Sequence, residues 1–131
     1  MNQSISILLV EDEEPVRRML AEALSRRGYR IATASSGLKG LESTHRLTAD
    51  IATIDWALND RVGQDVADRL REKSPHLVTL LISGYTKDVL IRRGLVRESA
   101  EFLEKPFPLV ALENKSHRLL DSAPRPRATG P

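Results

Sequence analysis

Short apolar runs alternate with stretches of helical periodicity five times between residues 5 and 120, and little else folds from such a pattern. Ile5 to Val10 (ISILLV) is nearly continuous in apolar residues, the mark of a strand buried on both faces. Pro15 suits the first turn of a helix, and Val16, Met19, Leu20, Ala23 and Leu24 recur at helical spacing until Gly28. Tyr29 to Ala34 is a second strand. Ser36 to Leu47 is a weaker helix with Leu38 and Leu41 inward. Ile51 to Ile54 is a third strand, followed by a helix from Gly63 with Val66, Ala67 and Leu70 inward. Leu77 to Ile82 and Glu101 to Glu104 are the fourth and fifth strands, with a short helix over Lys87 to Arg93 between them. Pro108 starts a last helix carrying Leu109, Leu112, Leu119 and Leu120. Strand–helix alternation of this kind implies an α/β, doubly wound parallel sheet with helices on both faces.

In such open sheets ligands bind beyond the carboxyl ends of the strands, where the strand order reverses. The residues just past each strand are therefore the informative ones. Strand one runs into Glu11-Asp12, strand three ends at Asp55, strand four ends at Ser83-Gly84, and strand five precedes Lys105-Pro106. Each has an ordinary structural explanation alone: an acidic first turn of a helix, a turn residue, a turn, a solvated lysine. Together they bring three carboxylates, a hydroxyl and an ammonium to one edge. Three crowded carboxylates repel, and one lysine leaves a formal charge of −2 that a divalent cation such as Mg²⁺ neutralises. A carboxylate beside that metal can accept a phosphoryl group as an aspartyl phosphate. Catalysis then consists of positioning and charge neutralisation by the lysine, the hydroxyl and the metal.

Charge elsewhere is less telling. The 131 residues carry 20 basic and 18 acidic side chains, but the basic excess is Arg125 and Arg127 in the Pro-rich segment 122–131. Residues 1–121 are thus neutral, which argues against nucleic acid as a partner. A flexible tail is expected over 122–131 and one domain over 1–121. The absence of cysteine excludes disulfide and thiolate chemistry. No apolar run reaches the ~20 residues that span a bilayer, and no secretory signal is visible, so no membrane association and a cytoplasmic protein are expected.

Four motifs in order, ILLVEDE (7–13), DIATID (50–55), LLISGY (80–85) and FLEKPF (102–107), resemble the receiver domains of two-component response regulators over residues 4–120. The resemblance implies a CheY-like (βα)5 flavodoxin-like sheet of strand order 2-1-3-4-5; CheY itself is a worked example of the doubly wound fold. It further implies Asp55 as phosphoacceptor and Glu11, Asp12, Asp55 and the Ala57 carbonyl as the Mg²⁺ site. By the same resemblance Ser83 is the switch hydroxyl, Lys105 the phosphate-pairing lysine and Phe102 the switch aromatic. Ala57 and Tyr85 stand where the family tunes dephosphorylation, and Lys105-Pro106 where it carries a cis bond. Residues 83–107 are also similar to receiver modules of hybrid sensor histidine kinases.

The family usually has proline four residues after the acceptor. Here it is Asn59, so a looser loop over Trp56 to Val62 is expected. The function implied is phosphoryl acceptance from a histidine kinase or histidine phosphotransfer protein, switching a face made by the fourth helix, fifth strand and fifth helix. Beyond its own phosphorylation and slow dephosphorylation, no enzyme activity is expected. An aspartyl-phosphate hydrolase would need a carboxylate two residues after Asp55, where Ala57 stands. A pseudo-receiver, binding proteins independently of phosphorylation, is the alternative. No output domain follows residue 121, so any output is expected to pass through a partner or through another domain of a longer chain.

Overall fold

β1 (Ser6–Val10), β2 (Arg30–Ala34), β3 (Ile51–Asp55), β4 (Val78–Ser83) and β5 (Phe102–Glu104) form one parallel sheet in the computed structural model, which describes residues 5–122. The strand order is β2-β1-β3-β4-β5, a flavodoxin-like, CheY-like arrangement as expected. The helices are α1 (Glu14–Arg26), α2 (Gly37–Glu42), α3 (Gly63–Lys73), α4 (Lys87–Arg92) and α5 (Leu109–Ser122). Of the expected tail, Ser122 is the last residue of α5; the remainder lies outside the described residues.

Both faces of the sheet are covered, and the strand residues divide between them by parity. Leu8 and Val10 of β1 pack with Ile54, Leu81 and the inner faces of α2, α3 and α4. Ile7 and Leu9 pack instead with Ile51, Leu80, Ile82 and the inner faces of α1 and α5. Two-sided burial explains why β1 reads as a continuous apolar run. Full burial of each such side chain contributes about 2 kcal/mol against chain entropy.

Two expectations need correction on the helices. Met19 is exposed, not inward. Arg17 donates from Nη1 to the Glu11 carbonyl at 3.0 Å, and Ala21 packs against the core, so the inner stripe of α1 runs along 16, 17, 20, 21 and 24. Leu38 is also exposed, and the expected helix over Ser36 to Leu47 is two pieces. α2 is only six residues long and buries Gly37, Gly40 and Leu41. A Cβ on Gly40 would lie 3.0 Å from Val10 Cγ2, so close helix–sheet contact selects glycine and turns Leu38 to the outside. At Ser43 the chain is extended, and its Oγ accepts the His45 N–H to start a separate 3-10 turn over Thr44–Leu47. Among the described residues no helix is long and apolar enough to cross a membrane.

Candidate functional site

The topology places β1 and β3 side by side, with β2 on one flank and β4 on the other. The chain reverses its direction of travel across the sheet here, and the carboxyl ends of β1 and β3 carry the acids. Glu11, Asp12 and Asp55 each offer a carboxylate oxygen within 4.8 Å of the others. Glu11 and Asp55 are buried; Asp12 is half-buried. Parallel register brings them together, because Val10 lies opposite Ile54 and each strand delivers its acid one residue later.

Lys105 follows β5, and its Nζ lies 3.6 Å from Asp55 Oδ1 and 3.7 Å from Glu11 Oε1. Its N–H donates to the Ser83 carbonyl at 2.7 Å, tying the loop after β5 to the end of β4. The Lys105-Pro106 bond is cis. One ammonium thus serves two buried carboxylates. Glu11 feels the deficit: burial first, then Asp55 and Asp12, push its carboxyl up to about 7, against the opposing Glu13 N–H bond and Lys105.

An all-oxygen group of three carboxylates with one shared ammonium fits a hard divalent cation such as Mg²⁺ in charge and donor type. The remaining residues singled out in the sequence surround it unevenly. Ser83 is buried at the end of β4, and its Oγ accepts the Tyr85 N–H at 2.9 Å. Phe102 opens β5 and packs against the core on the α2–α4 face. Tyr85 is exposed and meets Trp56 edge-on with ring centroids 6.0 Å apart. Ala57 is exposed and bridges to Val62 through the backbone.

The loop between β3 and α3 departs from expectation. Expected to be loose for want of proline, it is tied four ways. Asn59 N–H donates to Asp12 Oδ2 at 2.7 Å, and Asp60 accepts the N–H groups of Gly37 and Leu38 at 2.9 Å each. Gly63 N–H donates to the Trp56 carbonyl at 2.7 Å, and Ala57 pairs with Val62. Gly63 is also sterically required: a Cβ there would lie 2.6 Å from both the Asp55 carbonyl oxygen and Trp56 Cα. Sequence reasoning passed over Asp60, because its partners stand more than twenty residues away. The one signal available was that a residue other than proline at 59 keeps its N–H.

Comparison with known proteins agrees with this fold. A family model described as the response regulator receiver domain matches residues 7–117. The chain is similar to the sensor kinase CckA of Brucella abortus (strain 2308), with 32% identity over 123 residues, 92% of this chain and 13% of that protein. It is also similar to the response regulator receiver protein CpdR of the same organism, with 29% identity over 117 residues, 89% of this chain and 98% of that one. Among solved structures it resembles the response regulator protein TrrA of Thermotoga maritima in complex with Mg(2+)-BeF. There the TM-score is 0.75 with 29% identity, covering 88% of this chain and 98% of that chain. The chain spans 13%, 46% and 55% of CckA and two further curated regulators it matches, so those whole proteins extend well beyond it.

Proposed function

We propose, from the premise that this chain belongs to the response regulator receiver domain family of two-component systems, that it is a phosphoacceptor working through Asp55. The observation that supports this most is the pairing of a buried Asp55 with Lys105 at 3.6 Å inside a group of three carboxylates. A pseudo-receiver has no need to concentrate uncompensated charge there.

Glu11, Asp12, Asp55 and the Ala57 carbonyl are the residues that would hold Mg²⁺. When bound, the ion supplies positive charge against the phosphoryl oxygens and the acids. A carboxylate oxygen of Asp55 attacks phosphorus. The new O–P bond forms as the P–N bond of a donor phosphohistidine breaks, and the imidazole leaves with its electron pair. Lys105 exchanges its contact with Asp55 for one with a phosphoryl oxygen, and Ser83 Oγ donates to another. Drawing Ser83 toward the phosphoryl group breaks its bond to the Tyr85 N–H and biases Phe102, altering the face of α4, β5 and α5. The donor is a histidine kinase or histidine phosphotransfer protein and the receiver of the signal is a protein docking on that face, both in the cytoplasm. The reaction is stoichiometric, with Ala57 and Tyr85 setting how long the acyl phosphate survives.

The test is mass spectrometry after incubation with a small phosphodonor and Mg²⁺. The wild type gains one phosphoryl group and Asp55→Asn gains none. A wild type that stays unmodified under these conditions overturns this assignment and leaves the pseudo-receiver.

A further inference from the structure

The loop between β3 and α3 is anchored on one side to α2 and on the other to the acid group. The outer anchor is Asp60, whose two carboxylate oxygens each take one backbone N–H from the first turn of α2, Gly37 and Leu38. Its slight burial works the other way, yet these bonds and nearby Arg61 hold its carboxyl below the usual range. The inner anchor is the Asn59 N–H on Asp12 Oδ2, one residue before Asp60. The rest of the loop is closed on itself by the Ala57–Val62 bridge and the Gly63–Trp56 bond.

We propose that the Asn59 backbone N–H, held in place by the Asp60 clasp on α2, positions the Asp12 carboxylate for the divalent cation. This rests on the reading of Asp12 as a metal ligand and adds a positioning device to it. Asp12 is only half-buried, and its Oδ2 accepts the Asn59 N–H. A short backbone donor on one oxygen settles which oxygen is left to face Glu11 and Asp55, as partners behind a ligand orient it for metal. The device requires an amide N–H. Proline, usual at this position in the family, has none, so a chain with proline at 59 must orient its acid by other means. The Asn59 side chain is not part of the bond. The substitution expected to loosen the loop instead gives it a grip on the site.

Isothermal titration of MgCl₂ into the full chain tests this with Asn59→Ala, Asn59→Pro, Asp60→Ala and Asp60→Asn beside the wild type. Asn59→Pro, which lacks the donor, binds about tenfold more weakly than Asn59→Ala, which keeps it. Asp60→Ala weakens binding by a smaller factor, and Asp60→Asn, which retains one accepting oxygen, falls between it and the wild type. A second readout needs no metal: the Asn59 amide exchanges slowly with deuterated water in the wild type and faster in Asp60→Ala and Asp12→Ala. Should Asn59→Pro fail to fold by circular dichroism, the Asp60 variants and the exchange rates decide alone. Mg²⁺ affinity unchanged by Asp60→Ala and by a folded Asn59→Pro overturns this proposal while leaving Asp12 as a ligand. So does a wild-type Asn59 amide that exchanges freely. A wild type that binds no Mg²⁺ overturns the metal assignment itself, and this proposal with it.

Discussion

Glu11 and Glu113 are both buried carboxylates, but their surroundings differ. Glu113, on α5, accepts the Tyr29 hydroxyl on Oε2 at 3.1 Å and faces Arg27 across Oε1 at 3.4 Å. Tyr29 Oη in turn lies 2.8 Å from His117 Nε2. Burial, and then Glu113, push the Tyr29 phenol upward, so that hydroxyl stays a donor. Glu11 has the Glu13 N–H on Oε2 at 3.1 Å and a share in Lys105 at 3.7 Å. Two buried acids are thus provided for differently: Glu113 has a tyrosine hydroxyl and the Arg27 guanidinium, while Glu11 has a backbone N–H and divides Lys105 with Asp55. Buried charge matched on the spot is structural material. Buried charge left short marks where something positive, or something that brings its own cation, is to be received.

The largest effect that sharpens this contrast is on Lys105. Lys105→Ala slows phosphoryl acceptance from a small donor about a hundredfold, as loss of a charge-stabilising donor does elsewhere. Glu113→Leu leaves that rate where it was. A Glu113 variant that slows the reaction as much as the Lys105 variant erases the distinction.

The next effect is on pH dependence without metal. Burial favours the protonated Glu11 carboxyl, so the folded chain keeps a proton between 4.5 and about 7 that the unfolded chain has already released. The stability owed to this group is full below that interval and lost as pH rises through about 7. The loss amounts to at most about 3 kcal/mol. Urea unfolding in chelator at a series of pH values measures it, and Glu11→Gln flattens the curve. A wild-type profile that rises over the same interval contradicts the picture of an uncompensated Glu11.

The smallest effect concerns the matched acid. Glu113→Ala removes a partner from Tyr29 and from Arg27 and costs about 2 kcal/mol in urea unfolding at neutral pH. In metal-free buffer Glu11→Gln moves stability the opposite way. If both variants shift the midpoint in one direction, the two regions are not opposites.

Much of this molecule is legible in its sequence, for identifiable reasons. β1 and β3 are buried on both faces, so their sequences are mostly apolar, with Thr53 the polar residue inside β3, and give way abruptly to acids. The same abruptness places Glu11, Asp12 and Asp55 at strand ends, and parallel strands bring their ends to one edge. Less visible are Met19 and Leu38, because the inner stripes of α1 and α2 are set by Arg17 on the Glu11 carbonyl and by glycines in close contact, Gly40 against the sheet and Gly37 against Val66. Helical periodicity counts apolar residues and registers neither of these.

Asn59 and Asp60 mark the boundary most clearly. Local pattern is enough for the alternation of strands and helices, for the acids and lysine at the strand ends, and for the family resemblance, since each depends on residues within a few positions. The grip of Asn59 on Asp12 and the clasp of Asp60 on α2 join residues 47, 23 and 22 positions apart. Such bonds exist only once the sheet has set its register and the close approach at Gly63 has folded the loop back beneath Trp56. Composition and spacing say which groups a chain owns. Which of them meet across that distance is settled by packing, and here packing makes a firm loop of one whose sequence promises slack.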